Sequence, residues 1–164
     1  METIHLLLAN SDRQLSNLIE AQVLDVCYNQ AFVRCTKTAR ADELAHLGWS
    51  GQFDLIVVAA ENLSANAGRR ATSVASGEVL RTIGEIRRSC STPMLAVTVF
   101  PEAEAPLLEA GADSVVRFPF RVETLKSELR RLLRMHELVE EAPAPSRLSL
   151  AALLLRQFAR LKSA

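Results

Sequence analysis

The 164-residue chain has few of the features that mark several large classes of protein. It contains no run of about 18 apolar residues, so no membrane span is expected. Its amino terminus lacks the basic region and cleavage site of a signal peptide, which indicates a cytoplasmic location. Acidic and basic residues balance at 19 each, and a formal charge of zero does not favour a nucleic-acid-binding protein.

Sequence patterns for metal binding and catalysis are also lacking. Cys27, Cys35 and Cys90 are widely spaced, without the close pairs that zinc sites use, so free and mostly buried thiols are expected. The three histidines lie far apart. No glycine-rich phosphate loop follows the first predicted strand, and no nucleophile is paired with a base. We therefore expect no metal, no cofactor and no enzymatic activity.

The strongest positive feature is an uninterrupted apolar run at residues 54–60, DLIVVAA. The run is too short for an ordinary helix and rich in β-branched residues, which predicts a strand buried on both faces. In a parallel α/β sheet, the carboxyl end of such a strand faces the crevice where ligands bind. The residue at that end is Ala59, whose methyl group carries no chemistry.

Strand and helix patterns alternate five times along the chain. The predicted strands are 4–9, 31–36, 54–60, 93–99 and 114–117. The predicted helices are 12–26, 39–47, 78–88, 101–111 and 122–140. We expect Gly48 to end the second helix in a left-handed conformation, and Pro106 to leave the fourth helix short or bent. The alternation predicts an α/β fold with a doubly wound, five-stranded parallel sheet.

A different composition follows the α/β domain, which is expected to span residues 1–141. Residues 142–145, Ala-Pro-Ala-Pro, predict a stiff spacer. Residues 146–164 carry four basic residues and no acid, and their pattern predicts an extra amphipathic helix. The residues of this helix proposed to make contacts are Leu150, Leu154, Arg156, Phe158 and Leu161.

So apolar a helix must bury its face on its own domain, on a second copy of the chain or on another protein. Contact with a membrane surface is the weaker alternative, because four charges on so broad an apolar face favour protein contact.

Three short motifs and the five strand–helix units resemble the receiver domain of bacterial response regulators. The motifs are PMLAVT at 93–98, GADS at 111–114 and FPF at 118–120. The resemblance covers about residues 3–140. It implies a flavodoxin-like, CheY-like sheet with the strand order 2-1-3-4-5.

The resemblance places the family's phosphorylation pocket on residues that mostly lack its chemistry. In the family, two acids bind magnesium, an aspartate accepts the phosphoryl group, a hydroxyl acts as a switch and a lysine supplies counter-charge. The two acids correspond to Asn10 and Ser11, with Asp12 just beyond. The phosphoryl-accepting aspartate corresponds to Ala59, the switch hydroxyl to Thr98 and the lysine to Phe118. Phosphoryl transfer needs a nucleophilic oxygen, and magnesium needs carboxylate oxygens. The resemblance therefore indicates a degenerate pseudo-receiver.

The resemblance also implies a docking and dimerising surface made by the fourth helix, the fifth strand and the fifth helix. Phe118 and Phe120 are candidate anchors there, because aromatic residues are favoured at interfaces. Alternatively, both rings fill the space that the missing polar pocket leaves.

We interpret the chain as a phosphorylation-independent bacterial signalling module that binds protein partners and forms a homodimer, with residues 146–164 as a docking or dimerising element. The alternative is a receiver-like domain that senses a small ligand in a remodelled crevice around Asp12, Thr98 and Phe118.

Overall fold

The computed structural model describes residues 2–61, 63 and 77–140, in which strands and helices alternate. The strands are β1 (Glu2–Ala9), β2 (Ala31–Thr38), β3 (Leu55–Ala59), β4 (Met94–Thr98) and β5 (Ser114–Arg117). The helices are α1 (Arg13–Val26), α2 (Ala41–Gly48), α3 (Gly77–Ser89), α4 (Glu104–Ala110) and α5 (Val122–Glu140). A 3₁₀ turn at Pro101–Ala103 precedes α4. Within the described ranges, no helix is long and apolar enough to cross a membrane.

The strands form one parallel sheet in the order β2-β1-β3-β4-β5, which confirms the predicted flavodoxin-like architecture. At the carboxyl edge of the sheet, Ala9 pairs with Thr38 on one side and with Val58 on the other. Thr98 of β4 pairs with Arg117 of β5 at the same edge. The register therefore brings the residues that follow β1, β3, β4 and β5 together.

The buried residues of β3 contribute to two separate hydrophobic clusters, one on each face of the sheet. Leu55 and Val57 pack in the cluster that contains residues of α1 and α5. Ile56 and Val58 pack in the cluster that contains residues of α2, α3 and α4. All five residues of β3 are buried, as expected for a strand covered on both faces.

Local sequence determines where two of the helices begin. The carboxylate of Asp12 accepts hydrogen bonds from the backbone N–H groups of Gln14 and Leu15, at 2.8 and 3.0 Å, and so caps α1. Pro106 lies in the first turn of α4, where an N–H group has no acceptor within the helix. The expectation of a short helix is confirmed, because α4 has seven residues.

The expectation that Gly48 adopts a left-handed conformation is wrong. Gly48 is the last residue of α2, and the described backbone gives a positive φ to Gly51 and Gly111 but not to Gly48. A Cβ atom on Gly48 would lie 2.7 Å from Cδ1 of the buried Ile86. Glycine is needed here because α2 packs closely against α3.

The three cysteines are free thiols. Cys27 is buried, whereas Cys35 and Cys90 are partly buried. Burial raises the pKa of the Cys35 thiol to about 11, with a smaller contribution from the negative charge of Glu20. Because the thiolate is the reactive form, Cys35 is poorly reactive at neutral pH.

Arg87 of α3 fixes the turn that leads from α4 into β5. Its Nε donates to the carbonyl oxygen of Gly111 at 2.9 Å, and its Nη2 donates to Oδ2 of Asp113 at 2.5 Å. The same Oδ2 accepts a hydrogen bond from the backbone N–H of Met94 at 2.7 Å. One carboxylate thus joins α3 to the beginning of β4 and the approach to β5.

We expect Gly111→Ala to lower the free energy of unfolding by about 1–3 kcal/mol, because Gly111 has a φ of 125° that disfavours a side chain. The new Cβ would also lie 2.8 Å from Cβ of Arg87. Urea denaturation measures the loss. Gly77→Ala is the matched control, since a Cβ on Gly77 meets no atom within 4 Å. Equal stability of the two variants would contradict the prediction.

Candidate functional site

The candidate site is the crevice at the carboxyl edge of the sheet, formed by the residues that end or follow β1, β3 and β4. Asn10, Ala59 and Thr98 are buried there, whereas Ser11 is exposed. The backbone N–H of Asn10 donates a hydrogen bond to the carbonyl oxygen of Thr38 at 2.8 Å, which joins the ends of β1 and β2 at this edge. The sequence-predicted pocket residues on these strands therefore do meet at one edge.

Asn10 and Asp12 stabilise the turn into α1. The side-chain amide of Asn10 donates to the carbonyl oxygen of Asp12 at 2.9 Å and accepts from its backbone N–H at 2.9 Å. The Asp12 carboxylate is exposed and caps α1. Both side chains thus bond to nearby backbone.

The carboxylate in the crevice belongs to Glu61, which the sequence analysis overlooked. The hydroxyl of Thr98 donates to Oε1 of Glu61, and the backbone N–H of Val99 lies 3.4 Å from Oε2. Asp12, which the resemblance places just beyond the acid pair, instead caps α1. The sequence feature that could have identified Glu61 is its position, two residues after Ala59 and at the beginning of a loop.

Thr98 links the crevice to the neighbouring surface. Its side chain is fully buried, and its Oγ1 accepts a hydrogen bond from the backbone N–H of Phe100 at 3.1 Å. Its carbonyl oxygen accepts from the backbone N–H of Phe118 at 2.8 Å. Through this one residue, Glu61 is connected both to the segment before α4 and to the segment after β5.

These residues do not fit a magnesium ion of the kind that the receiver family binds. Magnesium is usually bound through one or two carboxylates together with water, yet Asn10 and Asp12 bond to backbone groups and Ala59 offers no oxygen. Glu61 already bonds to Thr98. Across the part of the chain that the structure describes, no group of three or more His, Cys, Asp or Glu side chains is arranged to hold a metal.

Phe118 and Phe120 flank Pro119 after β5, and the Phe118–Pro119 peptide bond is cis. Their rings stack edge to face, with centroids 5.5 Å apart and planes at 80°. Phe120 packs against the core cluster that contains Leu125. Phe118 keeps 40 % of its surface exposed, so it does not fill a closed space. This exposed fraction favours Phe118 as a candidate anchor on the surface over the space-filling alternative.

A groove of about 590 Å³ runs beside these rings, between α4, β5 and α5. We call its surroundings the contact face, defined by Val99, Leu108, Arg117, Phe118 and Val122. Four of these are exposed large apolar residues, and the fifth, Arg117, is an exposed arginine. The contact face therefore combines exposed apolar area with charge.

Charged residues of both signs lie in and beside the groove. Nε of Arg117 lies 3.9 Å from Oε2 of Glu104, on a neighbouring element. Oε2 of Glu128 accepts from the Ser114 hydroxyl at 2.7 Å and from Nε of Arg131 at 3.0 Å. The hydrogen bond from Ser114 makes the largest contribution to lowering the pKa of Glu128, and the hydrogen bond from Arg131 lowers it further, although burial acts in the opposite direction. Glu128 is therefore ionised at neutral pH.

Asp54 lies at the opposite, amino edge, where its Oδ2 accepts from the backbone N–H of His5 at 2.6 Å. At this position Asp54 cannot supply a carboxylate to the crevice. The predicted contact residues of the last segment, Leu150, Leu154, Arg156, Phe158 and Leu161, lie outside the described residues.

We expect Thr98→Val to lower the free energy of unfolding by about 1–3 kcal/mol, because the Glu61 carboxylate and the Phe100 N–H lose a partner. A double-mutant cycle with Glu61→Ala should give a coupling energy of about 1–2 kcal/mol in urea denaturation.

The control cycle pairs Thr98→Val with Glu43→Ala, which removes a carboxylate bonded to Thr38 instead. In this control cycle, the losses of unfolding free energy caused by Thr98→Val and Glu43→Ala should add, because Thr98 and Glu43 share no hydrogen-bond partner. Additive effects in the Thr98–Glu61 cycle would contradict the observed hydrogen bond.

No family model and no curated protein sequence matches the chain. Solved structures match its fold at low identity. The receiver domain of a sensor histidine kinase from Pseudomonas aeruginosa PAO1, with a magnesium ion in its active-site cleft, shows 18% identity and a TM-score of 0.60 over 80% of this chain and 98% of its own.

Two further structures give the same result. The receiver domain of a Francisella response regulator shows 16% identity and a TM-score of 0.58, over 80% of this chain and 98% of its own. An orphan response regulator of H. pylori shows 21% identity and a TM-score of 0.57, over 79% of this chain and 96% of its own. Together with the strand order, these likenesses show that the chain has the CheY-like receiver fold of response regulators.

Proposed function

We propose that this chain is a signalling module that works without phosphorylation and binds protein partners, including a second copy of itself, through the contact face. The observation that carries the proposal is the hydrogen bond from Thr98 to the carboxylate of Glu61, in a crevice where Ala59 has no nucleophilic oxygen. An internal carboxylate supplies a negative charge and an acceptor without a covalent modification.

A permanent partner for Thr98 holds the crevice and the contact face in one arrangement. A buried hydroxyl needs a hydrogen-bond partner, and bonds to charged groups are stronger than neutral ones. The Thr98 carbonyl bonds to the N–H of Phe118, which belongs to the contact face. Because Glu61 is part of the chain, no kinase or phosphatase adds or removes this charge.

The contact face has the composition of a protein interface. Exposed apolar side chains surround a groove, and an aromatic anchor, Phe118, projects from it. Arg117 and Glu104 place opposite charges on the same surface. A twofold dimer brings one patch against its own copy, so a patch that carries both signs of charge can be self-complementary.

We expect magnesium with beryllofluoride, or with acetyl phosphate, to leave the midpoint of thermal unfolding unchanged, because the crevice lacks the nucleophile and the metal ligands. Ligand at about 100 times its Kd would stabilise the fold by about 2.7 kcal/mol and shift the midpoint by several degrees. A saturable, magnesium-dependent shift would contradict phosphorylation independence. A saturable shift with a metabolite would instead favour the ligand-sensing alternative.

We expect light scattering to give the mass of a dimer for the wild-type chain, and Arg117→Glu to raise the dissociation constant at least about tenfold, roughly 1.4 kcal/mol. Arg81→Glu is the matched control. Each arginine is exposed and lies 3.9 Å from a glutamate, but Arg81 is on α3, away from the contact face. A monomeric wild-type chain, or equal effects of the two variants, would overturn the proposed dimer.

A further inference from the structure

A small cavity of about 190 Å³ lies at the amino edge of the sheet, on the face that α1 and α5 cover. Its apolar lining is formed by Ile4, Val26, Cys27, Ala31 and Leu133. All but Ala31 belong to the hydrophobic cluster of this face or pack against it. Burial raises the pKa of the Cys27 thiol, so the thiol is neutral at neutral pH and lines the cavity as an apolar group.

Polar side chains form the rim of this cavity. They are those of Glu2, Gln30, Arg130 and Arg134, and all four residues are exposed. Arg130 and Arg134 are four residues apart on α5, so their side chains lie on the same side of the helix. Lys126, four residues before Arg130, is already paired with Asp25 at 2.7 Å. Among the described residues, none forms an ion pair or a hydrogen bond with Arg130 or Arg134.

The charges at the rim favour a ligand with a single negative charge. The guanidinium groups of Arg130 and Arg134 face one carboxylate, that of Glu2, so the described rim has an excess of one positive charge. A guanidinium group donates paired hydrogen bonds that match the two oxygens of a carboxylate. Glu2 would repel the second charge of a dianion. Because the rim is exposed, a bound carboxylate keeps part of its hydration and avoids the cost of full burial.

The volume of the cavity limits the apolar part of the ligand. A dry apolar cavity of about 150 Å³ in another protein is large enough to bind benzene. The present cavity, of about 190 Å³, is therefore large enough for a single ring and one small substituent. Compounds with two fused rings or a long alkyl chain would exceed this volume.

We propose that this cavity binds a small monoanionic carboxylate with one apolar ring, the ring against Cys27 and Leu133 and the carboxylate beside Arg130 and Arg134. The site lies at the amino edge, whereas the crevice around Thr98 lies at the carboxyl edge of the sheet. It is therefore separate from the crevice of the ligand-sensing alternative. It also does not depend on the proposed function, because the contact face contributes no residue to it.

Amide NMR spectra of the full-length chain, titrated with benzoate, test this site. We expect benzoate to shift the amide signals of Cys27 and Ala31 saturably and to leave that of Thr98 unchanged. The dissociation constant should be about 1 mM or lower, as expected for a ligand of this size. Acetate supplies the charge without the ring, and benzyl alcohol supplies the ring without the charge. Each should bind at least about tenfold more weakly than benzoate.

Two variants test the two parts of the site. Arg130→Gln should weaken benzoate binding at least about tenfold, because it removes charge-assisted hydrogen bonds. Arg81→Gln is the matched control, since Arg81 is an exposed arginine of α3, on the other face of the sheet. Ala31→Leu should fill the cavity and abolish the benzoate-induced shift of Cys27 without lowering the midpoint of thermal unfolding. Arg130→Gln alters only an exposed side chain, so it remains a test even if Ala31→Leu does not fold.

Three outcomes would overturn the proposal. In the first, benzoate leaves the signals of Cys27 and Ala31 unchanged, or acetate shifts them as strongly, which would indicate an adventitious ion only. In the second, benzyl alcohol binds as tightly as benzoate, or Arg130→Gln and Arg81→Gln bind benzoate equally, so that the guanidinium group has no role. In the third, phenyl phosphate binds more tightly than benzoate, which would assign the cavity to phosphate esters.

Discussion

Burial of β3 on both of its faces is the constraint on which the rest of this structure depends. Successive side chains of a strand point to opposite faces of the sheet, so Leu55 and Val57 lie on one face and Ile56 and Val58 on the other. Helices must cover each face to bury these apolar side chains. Parallel strands need helical crossovers to supply those layers. The positions of the two sheet edges described above follow from this arrangement.

The crevice shows how a buried polar group determines its surroundings. Thr98 is completely buried, and an unpaired hydroxyl in that position would lose the hydrogen bonds that it makes with water. Glu61 supplies an acceptor, and the Phe100 N–H uses the same hydroxyl as its own acceptor. The hydroxyl is thus satisfied by a residue from an adjacent loop.

The fold could be predicted from the sequence because it depends on periodicity, which is a local property. The beginning of α1 at Asp12 was likewise visible locally. Gly48 was misinterpreted because its role comes from Ile86, a contact between two helices that no short pattern reveals. Glu61 was missed for the same reason, since its partner Thr98 lies 37 residues away along the chain. Local patterns predict elements, whereas contacts distant in sequence determine the site.

The hydrogen bond of Glu61 has a consequence for how the crevice can evolve. An aspartate at position 59 would add a second carboxylate to the edge of the sheet where Glu61 bonds to Thr98, and neighbouring like charges in a buried site are costly. An aspartate at position 59 is therefore better tolerated when Glu61 is replaced with it, whereas replacing Glu61 alone leaves Thr98 without its acceptor. Positions 59 and 61 are therefore coupled, and the effect of a substitution at one of them depends on the residue at the other.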